Sequence, residues 1–445
     1  MRPNAAEEWY GSAEFIGGWK DSVADSHDFG RRIDELCRDY VRLWRRAPAA
    51  MPRLGPRVTL WRQWTTARDA TRLIDRVATE IELGRASPDE WDARRAALRR
   101  RIERFGCERL GWPEGYCRLL VDEPIYAASV EFLTEACAFD PRAKLDDLWQ
   151  ALRNVWVGNS LQLLVDVPVG LRPGLFAYSM LYPVTDNLLD DPDVPLERKR
   201  RFNERLGLRL AGCPVTVEDE REAQAYRLVE RIESDWSRER FPCVYSSLLA
   251  IHEGQCRSLE QHRGAHLSNS DLMKISVRKG GTSVLADLYL IAGTAGDAEV
   301  RLAFGYGVVL QLLDDLQDVD DDIDRGHETV FTRAARRGCL DEPAMRLAHL
   351  IDALRADADR VAGDARSDLV HRHCRTMLVD SIAVHRARFS RAFLTCVARQ
   401  WPVSLRAHRR MRRRAMKLAQ KIVSGTRFRD QVSDTDYSAV TGRRS

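Results

Sequence analysis

DAEVRLAFGYGVVLQLLDDLQDVDDDID, residues 297–324, decides the architecture and most of the chemistry. Its first half, LAFGYGVVLQLL (302–313), is apolar almost all round at helical spacing and reads as a buried helix. Its second half runs straight on into aspartates. Asp314, Asp318 and Asp322 stand at i, i+4 and i+8, so on a helix they stack along one face, with Asp315 flanking them. A surface helix would alternate faces; this one leaves a core with carboxylates at its mouth. Each uncompensated like-charge pair at that spacing costs a helix roughly 0.2–0.5 kcal/mol, and aspartate is a poor helix former besides. No Lys or Arg lies three or four residues from Asp314 or Asp318 to relieve the repulsion. A hard divalent cation would: Mg²⁺ takes oxygen ligands and commonly sits on one or two carboxylates together with substrate phosphates. A Ca²⁺ loop of the EF-hand kind needs a central Gly and a terminal Glu at fixed positions, and the run lacks them.

Upstream lies a second acidic segment, AYSMLYPVTDNLLDDPDVP (177–195). Asp186 and Asp190 are four apart and share a helical face, and Asn187 and Asp191 form a pair shifted by one residue. Two such helices facing each other across a cleft would hold several Mg²⁺ ions against a diphosphate. Between the segments stands KISVRKGGTSVL (274–285), with Lys274 and Arg278 one turn apart and Lys279 adjoining. These cations either grip diphosphate oxygens or form an ordinary basic helix face. Gly280 and Gly281 inside a helical pattern predict a kink or a close backbone approach.

The remainder also reads as helix: 31–46, 88–106, 146–165, 220–236 and 244–262 carry the helical period, and alternation bounded by hairpin turns is hard to find. The expected fold is all-α. It divides into an N-terminal helical region of unread role (1–140), a helical core (141–400) and a basic tail (401–445). With 445 residues, 44% of them hydrophobic, a sizeable core can form. The first residues are acidic where a signal peptide would be basic, and no apolar run approaches membrane-spanning length. The ten cysteines are scattered without a CxxC pair, which fits reduced thiols and a cytoplasmic location. The net charge of +4 is uneven, because residues 386–445 alone carry +13. That tail, with RAHRRMRRRAMKLAQK (406–421), reads as a solvated helix end, as a weak peripheral contact with an anionic membrane, or as a nucleic-acid site. Aromatic residues are sparse within it, so base stacking is not indicated and no nucleic-acid partner is expected.

These pieces, in this order, resemble the class I isoprenoid synthases, the trans-prenyl diphosphate synthases and class I terpene cyclases. DNLLD (186–190) is similar to their first aspartate-rich motif, with Asn187 in place of the second Asp. HEGQCRSLE (252–260) and SVRKGGTS (276–283) resemble the segments between the motifs. QLLDDLQDVDDDIDRGHET (311–329) resembles the second motif most closely, with Gln311 three residues ahead of DDLQD. The resemblance covers about 145–335. It implies a helical bundle around an apolar central cavity and an enzyme that ionises an allylic prenyl diphosphate. It implies a cluster of about three Mg²⁺ ions as cofactor. Asp186, Asp190, Asp314 and Asp318 would be the catalytic carboxylates, with Asp191, Asp315 and Asp322 as further candidate metal ligands. Lys274, Arg278 and Lys279 would take the diphosphate, and Tyr178, Tyr182, Phe304 and Gln311 would line the cavity.

Chain-elongating members add isopentenyl diphosphate and carry an RRGxPT segment and a GGKR-type segment. Here the residues after the first motif read DPDVPLERKRRFNERL (191–206), without the Gly-x-Pro-Thr part, and no GGKR-like stretch precedes. The spacing of Asp314, Asp318 and Asp322 matches the cyclases' second motif, although all three are Asp. The expectation is therefore a terpene synthase releasing diphosphate. A polyprenyl diphosphate synthase is the alternative, and a catalytically silent helical binding protein is the alternative of another class. A homodimer remains open.

Overall fold

The computed structural model describes residues 24–86, 90–113, 123–189, 194–262 and 267–425. Among these it is all-helical, with seventeen α-helices and no strand. In chain order, α1 is Ala24–Arg46, α2 Leu60–Ala86, α3 Trp91–Phe105, α4 Glu123–Phe139, α5 Leu145–Leu164 and α6 Pro173–Leu189. Then come α7 Leu196–Leu210, α8 Glu220–Asp235, α9 Pro242–Ser258, α10 Asn269–Ala292, α11 Asp297–Gln317 and α12 Val319–Arg325. The chain closes with α13 Val330–Arg336, α14 Asp341–Ala362, α15 Asp364–Val384, α16 Arg391–Arg399 and α17 Leu405–Gly425.

The antecedents are local. Ser268 and Asp271 form a capping box that starts α10, so the first orphan N–H groups are satisfied. Asp219 caps α8 by accepting from the Glu222 N–H at 2.9 Å. Gly326, at φ 72°, ends α12 in the left-handed region that glycine adopts without strain.

The helices α10 and α11 are apolar on most faces and form the centre of the bundle, surrounded by α1, α5, α6, α9, α14 and α15. Their backbones meet at Gly280 and Gly307. A Cβ on Gly307 would lie 2.8 Å from the Gly280 carbonyl carbon and closer still to its oxygen. Gly281 lies beneath the Phe304 ring, where a Cβ would sit 2.5 Å from a ring carbon. The glycine pair expected to mark a close approach thus lies where α10 and α11 come together closely. Most of the buried apolar residues form one cluster running from Ile33 to Leu405. Residues 24–46 belong to it: the Tyr40 hydroxyl donates to Asp357 Oδ2 at 3.1 Å, tying α1 to α14. None of the described helices is long and apolar enough to cross a membrane.

One expected helix is two. The run 297–324 is interrupted at Asp318, at φ −96°, ψ 12°, between α11 and α12. The i→i+4 bonds nonetheless continue through the break, from Asp318 N–H to Asp314 O at 2.9 Å and from Asp322 N–H to Asp318 O at 2.8 Å. A poor helix former carrying a charge against its neighbours is where a long helix gives way.

Candidate active site

Where α10 crosses α11, the Ser276 hydroxyl donates to Asp315 Oδ2 at 2.9 Å and the Gln311 amide donates to Asp315 Oδ1 at 2.8 Å. Asp315 is buried, with both oxygens engaged by neutral donors. Burial pushes its carboxyl up to about 6, the Asp314 charge adds to that, and the two hydrogen bonds and Lys279 pull it down.

Three more carboxylates share its field. Asp314 is half exposed, and its nearest cation is Arg153, 3.5 Å away on α5. Asp318 is raised first by burial and then by the Asp314 charge, against a Gln317 amide 3.4 Å away and Arg153. Burial and the charges of Asp315, Asp318 and Asp314 push Asp322 up to about 7. Asp320, in the same run, points elsewhere: it binds His385 Nδ1 at 2.9 Å and Arg388 at 2.8 Å, and its carboxyl is held below the usual range. Of these five aspartates, Asp320 is neutralised, while Asp314, Asp315, Asp318 and Asp322 repel one another.

Asp314 and Asp318 stand on the wall of a cavity of about 1850 Å³, larger than the ~300–1,000 Å³ of an ordinary small-molecule pocket. Tyr182 and Gln311 line it too, as do Trp156 and Tyr306. Tyr178 and Phe304 do not. Tyr178 stands behind Tyr182, with hydroxyls 3.0 Å apart, and hydrogen-bonds the Ser283 carbonyl at 3.2 Å. Phe304 is fully buried between Gly281 and Tyr40.

Lys274 and Arg278 are not at this mouth. They line a second concavity of about 490 Å³ together with residues of α1 and α9. Lys274 pairs with Asp271 at 2.9 Å, and Arg278 with Asp34 at 2.7 Å and Glu253 at 3.0 Å. The reason is angular. At about 100° per residue, positions 274, 275 and 278 point roughly opposite to 280, 283 and 284, which line the large cavity. Of the expected diphosphate cations only Lys279 acts on the acidic cluster, through Asp315.

Asp186 lies in the last turn of α6, one turn beyond Tyr182, whose hydroxyl meets Ser283 Oγ and which shares the cavity with Asp314. Asp190 and Asp191 lie outside the described residues. Among the described residues, no group of three His, Cys, Asp or Glu side chains is gathered closely enough to hold a metal as it stands. The donor set at the mouth is nevertheless of the right kind: hard carboxylate oxygens whose mutual repulsion a divalent cation would remove.

Several residues that the sequence left unremarked belong to this cavity. Arg153 and Asn154 come from α5, whose positions 146, 149, 150, 153, 154, 157 and 160 all face it. The polar members of that face, Asp146, Gln150, Arg153, Asn154 and Ser160, recur at helical spacing and were the available signal. Arg412, from α17, reaches Gln317 Oε1 at 3.3 Å beside the aspartates. The outer wall comes from the N-terminal third, through Leu98 of α3 and Tyr126 of α4. Beneath the cavity, Asn154 donates to Asp287 Oδ1 at 3.0 Å and to Ser179 Oγ at 3.1 Å. Asp287 is fully buried, its other oxygen has no partner, and burial raises its carboxyl well above the usual range.

No family model matches this chain, and no curated protein and no solved structure matches it.

Proposed function

We propose that this chain is a Mg²⁺-dependent class I isoprenoid synthase that ionises an allylic prenyl diphosphate, and that it acts as a terpene synthase. The observation that carries the reading is the set Asp314, Asp315, Asp318 and Asp322. Their mutual repulsion, offset only in part by Arg153 and Lys279, reaches through Asp314 and Asp318 to the wall of a cavity large enough for a prenyl chain and lined by Tyr182, Tyr306 and Trp156.

Asp314, Asp318 and Asp322 would hold the metal, with Asp186 of α6, whose side chain lies outside the described ones, as the further candidate. Bound Mg²⁺ would neutralise the charge that develops on the departing diphosphate. The protein supplies the rest. Gln311 and Ser276 fix the Asp315 carboxylate, so the start of the acidic run keeps one orientation. Arg153 and Arg412 stand at the same mouth and would take diphosphate oxygens as charge-assisted donors, the task first assigned to Lys274 and Arg278. Lys279 backs them from α10. The allylic cation left after C–O cleavage needs a site without water. The aromatic faces of Tyr182, Tyr306 and Trp156 favour a cation over the face of a ring.

Among the described residues, the cations Lys274 and Arg278 do not form a seat for a second anionic substrate beside the first. The other cationic concavity lies behind α10 and shares no lining residue with the large cavity. This favours rearrangement of one substrate over elongation. The experiment is incubation with geranyl, farnesyl and geranylgeranyl diphosphates and Mg²⁺, with and without isopentenyl diphosphate, followed by product analysis. A hydrocarbon or alcohol formed without isopentenyl diphosphate is the expected result. Longer diphosphates, formed only in its presence, would replace this reading with the elongating one.

A further inference from the structure

We infer that the start of α2 and the solvent face of α17 form a docking surface for an anionic lipid bilayer. Leu60, Trp61 and Trp64 are 83%, 71% and 54% exposed, and Leu60 and Trp61 are the two most exposed large apolar side chains among the described residues. They occupy the first turns of α2, where a monomer in water gains nothing from them. The two indoles stack with centroids 5.2 Å apart, and the Arg68 guanidinium lies over Trp64 at 5.2 Å. Arg57 and Arg62 flank them, both exposed.

This apolar patch is tied to the most basic part of the chain. Val58 N–H donates to Arg399 O at 2.8 Å, and the Gln63 amide donates to Trp401 O at 3.0 Å and to Ala398 O. Farther along, Arg414 pairs with Asp75 at 3.2 Å, so α2 and α17 run side by side in the same direction. No Asp or Glu occurs from 381 to 429. Arg406, Arg410, Arg413 and Lys417 are exposed at i, i+4, i+7 and i+11, a single stripe along α17. Among the described residues none of the four has an acidic partner.

Tryptophan and leucine beside unpaired arginines match the boundary between headgroups and acyl chains: the indoles settle at that level and the cations meet anionic headgroups. A second copy of the chain fits less well, because a two-fold contact through this face would set cation against cation. Nucleic acid fits less well too. The indole faces are occupied by each other and by Arg68, and the most exposed of the three apolar side chains, Leu60, is aliphatic. The inference does not depend on the enzymatic reading.

The test is co-sedimentation of the full chain with vesicles of phosphatidylcholine alone and of phosphatidylcholine mixed equally with phosphatidylglycerol. Binding is expected to the mixed vesicles, to weaken as salt is raised, and to be weak on phosphatidylcholine. At about fivefold per cation, the Arg406→Ser/Arg410→Ser/Arg413→Ser variant should bind about a hundredfold less tightly. Trp61→Ser/Trp64→Ser should lose binding to both vesicle types. Should a variant fold poorly by circular dichroism, quenching of the wild-type tryptophans by brominated lipid reads the same insertion. Three results would overturn the inference: no sedimentation with mixed vesicles, full binding by the tryptophan variant, or self-association of the wild type that the tryptophan variant abolishes. Single-stranded RNA displacing the vesicles at equal phosphate would also overturn it, in favour of a nucleic-acid partner.

Discussion

Replacing Gly307 by alanine should destabilise the protein, and replacing Gly30 by alanine should do the opposite. Both glycines are inside helices, so intrinsic propensity favours alanine at each by up to about 1 kcal/mol. At Gly30, in α1, a Cβ meets nothing within 4 Å, and only that gain is left. At Gly307 the new carbon would stand 2.8 Å from the Gly280 carbonyl carbon and 3.0 Å from Val284 Cβ, and nearer again to the Gly280 oxygen. The obstacle is backbone, which cannot rotate away as a side chain would. The helices α10 and α11 must separate by the better part of an ångström or the Gly280 carbonyl must tilt. Overpacking of this kind costs about 1–3 kcal/mol, occasionally more. A net loss of about 1–2 kcal/mol or more is the expected balance, because the propensity gain offsets part of the strain. Thermal unfolding followed by circular dichroism on the two variants and the wild type gives the answer. Tm should order Gly30→Ala at or above wild type and Gly307→Ala below it. A Gly307→Ala protein as stable as Gly30→Ala would refute the close crossing, and with it the placement of Ser276 against Asp315.

Further outcomes follow from the carboxylates and their neighbours. Asp318→Asn should raise Tm in chelator, because it removes a charge that Asp314 and Asp321 oppose; excess Mg²⁺ should then raise Tm in the wild type and much less in the variant. A scaffold with no metal function would show the first effect without the second. Burial raises the Asp287 carboxyl well above its ordinary value of 3.8, so between the unfolded and the native values the native state binds more protons and stability falls as pH rises. Asp287→Asn should abolish that fall, whose limiting slope between the two values is about 1.4 kcal/mol per pH unit, and a wild type and variant whose stabilities change in parallel with pH would contradict a buried neutral acid. Arg153→Ala should raise KM for a prenyl diphosphate by about ten- to a hundredfold if a charge-assisted bond of ~1.5–3 kcal/mol is lost, whereas Lys274→Ala, behind α10, should leave KM unchanged.

The sequence made the helices readable because their apolar period is strong, and it made the acidic run readable because nothing nearby in the chain neutralises it. Gln311 was legible as a neighbour of that run, though not as the donor that pins Asp315 together with Ser276, a residue 39 positions away. Faces within α10 were harder. Lys274, Arg278 and Lys279 read as one basic group, yet a single 100° step puts Lys279 with the carboxylates and turns Arg278 toward Asp34 and Glu253. The break at Asp318 was hidden because helical spacing alone does not show where repulsion interrupts a helix. The N-terminal third and the basic tail were opaque for another reason: their partners are long-range. Tyr40 reaches Asp357, Gln63 reaches Trp401, and Arg412 reaches Gln317. No local pattern encodes such pairings.

The most direct measurement is release of inorganic diphosphate from farnesyl diphosphate, followed continuously while Mg²⁺ is titrated in, for the wild type and for Asp314→Asn/Asp318→Asn. The geranyl and geranylgeranyl homologues serve as parallel substrates. Release that depends on Mg²⁺, needs no isopentenyl diphosphate, and falls by about a hundredfold or more in the variant is the expected result, in line with removal of groups that stabilise a developing anion. Equal rates in wild type and variant, or no release from any of the three chain lengths, would contradict it.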